Sequence, residues 1–76
     1  MDIRPLIPAI EVALRARRMS VAQLCRRADL APTTWVRWKG GVPAQRRSWD
    51  RVAIALGEID PALRRLAEIP AEEAAA

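Results

Sequence analysis

Thr33 and Arg37 lie four residues apart, with Val36 beside them, in a segment whose apolar positions are taken by Trp35 and Trp38. On a helix, positions 33, 36 and 37 share the face opposite the two indoles. Such a ridge carries a guanidinium fork with paired donors, a hydroxyl that donates and accepts, and a small apolar surface. That is the chemistry of recognition rather than of bond making. The remaining reactive groups do not assemble into a catalytic set. The chain has one cysteine, Cys25, no histidine, and nine carboxylates scattered over 76 residues. No nucleophile motif or phosphate-cradling glycine loop accompanies Asp29 or Asp50. Neither an enzyme nor a cofactor is expected, and the usual Cys/His metal site is excluded by composition.

Charge narrows the class of partner. The net charge is +4, yet residues 15–51 hold ten Lys or Arg against only Asp29 and Asp50, a local balance of +8. Residues 1–14 contribute −1 and residues 52–76 contribute −3. A basic segment that coincides with the candidate ridge is what a phosphate-facing surface requires. Twelve of the thirteen cations are arginine, the residue whose planar fork matches phosphate and guanine best.

One domain is expected at this length, near the lower limit for a chain without staples. The lone thiol cannot form an internal disulfide, and no basic-then-apolar leader or bilayer-length apolar run is seen, so a soluble cytoplasmic protein is expected.

The elements that must hold the ridge are all helical. Pro5 and Pro8 suit an irregular arm or a first helical turn. Ile7, Ile10, Ala13 and Leu14 then repeat at helical spacing, predicting a first helix from Pro8 to about Arg18. Ser20 and Gln23 make a capping box, so a second helix starts at Val21 and buries Val21, Leu24, Cys25 and Ala28 while exposing Arg26 and Arg27. Asp29 and Leu30 make a turn. The third helix runs from Pro32 to Lys39, where Gly40 and Gly41 stop it, and residues 42–44 form a loop. A fourth is predicted over Gln45 to Leu56, with Trp49, Val52, Ala53 and Leu56 on one stripe and Gly57 as its cap. Asp60 and Pro61 open a fifth, to about Glu68, edged by Leu63, Leu66 and Ile69. Pro70 ends it, and residues 70–76 read as a short flexible tail beyond a 1–69 domain. There is no strand-period alternation and no internal repeat.

Helix, tight turn, helix with exposed polar side chains, then glycine: the span from Ser20 to Gly41 has the layout of a helix-turn-helix. With Cys25 and Ala28 as small residues, Leu30 after the turn, Trp35 and Trp38 as large apolar positions, Gly41, Pro43 and the closing Leu56-Gly57 pair, residues 8–57 resemble the lambda-repressor-like Cro/repressor (XRE-type) helix-turn-helix family. The sequence departs from that pattern at Asp29, where glycine is usual, and at Ala31, where Ser or Thr often caps the third helix. It departs again at Lys39, where an acidic residue often pairs with an arginine of the first helix, so that ion pair is expected to be absent, and in having tryptophan at both core positions.

The resemblance implies a compact five-helix all-α domain whose third helix enters the major groove of double-stranded DNA. Pro32, Thr33 and Arg37 match positions that face base edges. Arg37 would offer two donors to O6 and N7 of a guanine, and Val36 a surface for a thymine methyl. Backbone N–H groups at Ser20 and Val21 would meet one phosphate, with Thr34, Lys39, Arg46 and Arg47 flanking the groove. Minimal proteins of this class bind as two-fold homodimers. Ile59, Leu63, Leu66 and Ile69 are then either the dimer interface or the closure of the core over the first and fourth helices. The expected function is a transcriptional regulator, a repressor of phage or mobile-element type, with no room for a small-molecule ligand domain. The alternative is the DNA-binding antitoxin, or protein-interaction module, of a toxin-antitoxin pair. Single-strand binding requires Trp35 or Trp38 to be exposed as a stacking platform.

Overall fold

The computed structural model of the chain describes residues 1–69. The expected tail at 70–76 and the terminating role of Pro70 lie outside the described residues. Four α-helices, α1 (Ile7–Ala16), α2 (Val21–Arg27), α3 (Pro32–Lys39) and α4 (Arg46–Ile59), are followed by a 3-10 helix, Pro61–Ala67. A single 3-10 turn, Arg4–Leu6, leads into α1, and there is no strand among the described residues. No helix described is long and apolar enough to cross a membrane.

One stop recurs at the ends of the first three helices. After α1, Arg18 takes a left-handed φ of 56° and the Met19 N–H reaches back to the Leu14 carbonyl at 2.9 Å. After α2, Asp29 has φ 57° and the Leu30 N–H bonds to the Cys25 carbonyl at 2.8 Å. After α3, Gly41 has φ 103° and the Val42 N–H bonds to the Arg37 carbonyl at 3.0 Å. Each satisfies an orphan carbonyl and turns the chain sharply, the Schellman arrangement. Only the third uses glycine, and there a side chain would also meet the Arg4 guanidinium, 3.3 Å from the position of a Cβ. The left-handed turn at Arg18 closes α1 at Ala16, two residues before the predicted Arg18.

The starts of the helices follow the sequence more closely. The capping box of α2 is complete: the Gln23 N–H donates to Ser20 Oγ at 3.1 Å and the Ser20 N–H to Gln23 Oε1 at 2.8 Å. Pro32 opens α3 in its first turn, but the N-cap, Ala31, supplies no side-chain bond. Pro5 and Pro8 sit in the first turns of helices, and the segment before them is no loose arm. Ile3 is buried, and the Ala44 N–H donates to the Met1 carbonyl at 2.8 Å.

Two expectations near the C-terminus are corrected. Gly57 does not cap α4. The helix continues to Ile59 because the apolar stripe Trp49, Val52, Leu56 and Ile59 continues at helical spacing past the glycine, and extended Asp60 followed by Pro61 is what stops it. On that stripe Ala55, rather than Ala53, is fully buried. The fifth helix, expected to about Glu68, is present as a 3-10 helix over Pro61–Ala67. Asp60 caps its start as expected, accepting the Ala62 N–H at 3.0 Å.

All three indoles lie in one core with Ile10, Leu14, Leu24 and Leu56. Trp35 stacks on Trp49 at 6.3 Å between ring centroids, and Trp38 meets Trp49 edge-on at 5.6 Å. Such pairs add about 0.5–1.5 kcal/mol beyond the area they bury. The cluster fixes the inner face of α3, and therefore its outer face.

Candidate nucleic-acid interface

With Trp35 and Trp38 at 2% and 3% exposure, the helical period puts Thr33, Val36 and Arg37 on the outer surface of α3. All three are exposed, as is Pro32 at the helix start. Val36, at 66%, is the most exposed large apolar residue described. Arg37 is exposed, and among the described residues no carboxylate pairs with it. These four predicted base-contacting residues therefore come together on one short helix. The same burial leaves no indole face for stacking, which removes the geometry that single-strand binding would need.

The predicted phosphate contacts are less uniform. Arg46 and Arg47 are exposed in the first turn of α4; Arg46 has only a loose i,i+4 approach to Asp50 at 3.9 Å, and no carboxylate among the described residues pairs with Arg47. Thr34 is half-buried. The Ser20 N–H is already bonded within the capping box, which corrects its expected role; the amides of Val21 and Ala22 are the ones the first turn leaves without an intrahelical partner.

Lys39 is turned away from the ridge. Its Nζ lies 3.0 Å from Oε2 of Glu11 on α1, and the Trp35 indole N–H donates to the same oxygen at 3.3 Å. An ion pair between α1 and the end of α3 thus exists with its charges exchanged relative to the family pattern. Burial pushes the Glu11 carboxyl up, but the hydrogen bonds from Lys39 and Trp35, with the charges of Lys39 and Arg15, outweigh it and leave it below the ordinary glutamate value.

Sequence reasoning missed Glu11 and Arg51. Glu11 sits between Ile7 and Leu14 on the core side of α1, and nothing near it in the sequence marks Lys39, twenty-eight positions away, as its partner. Arg51 of α4 donates to the Asp29 carbonyl at 3.3 Å, tying the α2–α3 turn to α4. Nothing in its own neighbourhood in the sequence marks that role.

The expected dimer residues divide. Leu63 is 4% exposed and belongs to the core, because the 3-10 helix packs on α4 and α1; it has no surface left to give a partner. Ile59, Leu66 and Ile69 are half-buried at the edge of that packing. Cys25 is buried at 1% exposure, and burial pushes its thiol pKa up, so it stays a protonated core residue.

Comparison of the chain with protein-family models, with curated proteins and with solved structures finds no match.

Proposed function

We propose that this chain is a sequence-specific, double-stranded-DNA-binding transcriptional regulator of the lambda-repressor-like type, with α2 and α3 as its helix-turn-helix. In this reading α3 enters the major groove, Arg37 addresses a guanine, Thr33 a base edge or phosphate, and Val36 a thymine methyl. Pro32 lies against the bases at the helix start. Arg46, Arg47 and the first amides of α2 hold the sugar-phosphate walls. Two copies related by a two-fold axis read half-sites one helical turn apart, with Ile59, Leu66 and Ile69 at the contact between them. Repression, of the phage or mobile-element kind, follows from occupying a promoter.

The observation that carries the reading is the exposed ridge of Thr33, Val36 and Arg37 on a helix whose opposite side is locked into the core by two indoles. It lies within the one segment of strong positive balance. The test is selection of duplexes from a random pool by the purified protein at moderate salt. A recurrent half-site containing guanine is expected; a retained pool as random as the input would overturn the reading.

A further inference from the structure

An open groove of about 270 Å³ lies between α1, the start of α2 and the end of α3, lined by Glu11, Arg15, Met19, Ser20 and Lys39 among others. Two cationic side chains border it, and its one carboxylate, Glu11, is shared between the Lys39 ammonium and the Trp35 indole. The two partners of the ion pair differ in freedom. The Lys39 side chain is 49% exposed on a flexible four-carbon stem, whereas that of Glu11 is 23% exposed and held by the indole N–H. Lys39 can leave the pair without stranding the carboxylate.

Resting on the DNA-binding reading, we propose that this groove is a backbone-phosphate subsite and that Glu11 is its internal competitor, holding Lys39 until a phosphate exchanges for the carboxylate. A carboxylate oxygen and a phosphate oxygen are equivalent acceptors for an ammonium, so the exchange needs no covalent step. Arg15, one turn after Glu11 on α1, supplies the second cation at the same opening. Because each phosphate gained by Lys39 costs an ion pair, Glu11 restrains affinity for DNA of any sequence. Discrimination then rests more heavily on the ridge of α3.

The test is a double-mutant cycle on Glu11 and Lys39, read by titration of a random-sequence duplex over a KCl series. Glu11→Gln keeps an acceptor for the Trp35 indole and removes the competing charge. It should bind about 1.5- to 5-fold tighter, in line with one exposed ion pair that no longer has to be broken, at an unchanged log–log salt slope, because Lys39 reaches the phosphate in both proteins. In the Lys39→Met background the same substitution should leave affinity unchanged. Glu11→Asp, which keeps the charge but shortens its reach, should tighten binding by a smaller factor and serves if Glu11→Gln does not fold. A gain that survives in Lys39→Met would be a general charge effect and would overturn the proposal. So would unchanged affinity in a Glu11→Gln variant that melts like the wild type. Wild-type binding without improvement in Glu11→Gln removes this inference alone; failure of both proteins to bind any duplex at low salt removes the DNA-binding reading and this inference with it.

Discussion

The indole N–H of Trp49 donates to the main-chain carbonyl of Ala67 at 2.8 Å, across eighteen residues and inside the core. The bond fastens the last turn of the 3-10 helix onto α4, on the ring that also touches Trp35 and Trp38 of α3. One side chain therefore links the C-terminal closure to the back of the candidate recognition helix. Trp49→Phe keeps most of the ring but leaves the Ala67 carbonyl without its donor. Stability should fall by about 1–3 kcal/mol in urea unfolding, the cost of an unsatisfied buried acceptor plus lost packing. A change within about 0.3 kcal/mol would show that water replaces the indole there.

The left-handed residues after α1 and α2 are stabilising substitutions in waiting. Asp29→Gly relieves a conformation that disfavours any side chain, against the extra freedom glycine gives the unfolded chain. The carboxylate is 99% exposed and only 4.0 Å from Arg51, so little is lost with it, while the Arg51 bond to the carbonyl remains. Thermal unfolding should shift upward by the equivalent of about 0.5–1 kcal/mol. A lower melting temperature would mean that the side chain itself anchors the turn. Arg18→Gly should act in the same direction.

Ala31 leaves the first turn of α3 without a side-chain cap. Ala31→Ser supplies an acceptor for a free amide and should add about 0.5–1 kcal/mol in urea unfolding. An unchanged midpoint would indicate that the extended N-cap backbone is not positioned for it.

The sequence spoke clearly where a local device does the work. The Ser20–Gln23 capping box, Pro32, the Gly40–Gly41 stop and the Asp60–Pro61 junction are all decided within a few residues. The inward set of α3 was equally legible, because two indoles three residues apart can satisfy only one face. What was not legible came from distant contacts. Gly57 looks like a stop until Ile59 is seen against the core, and Leu63 reads equally as a dimer face or as core closure until the 3-10 helix is seen packed on α4 and α1. The Glu11–Lys39 pair spans twenty-eight positions, and the departure at Lys39 pointed to a missing interaction rather than a reversed one.

Acid should destabilise the fold over a defined window. The Arg17 guanidinium, 2.8 Å from Asp60, and the Ala62 N–H hold that carboxyl below its ordinary value, and Arg4 holds Asp2 down at about 2. Glu11 is lowered as well. In each case the unfolded chain binds the proton more readily. The stabilisation is therefore present above the ordinary carboxylate range near pH 4, and it is lost as pH falls through the depressed folded values. The urea midpoint should be flat from about pH 5.5 to 7, where no histidine titrates, and should fall steadily below about pH 4. A midpoint that rises on acidification would contradict these pairings.

The most direct measurement compares wild type and Arg37→Ala on the selected half-site and on each single-base variant of it, at one salt concentration. The predicted result is a loss of about 1–3 kcal/mol confined to duplexes with guanine at one position, with non-specific binding nearly unchanged. An equal loss on every duplex, or none on any, would contradict an α3 ridge that reads bases.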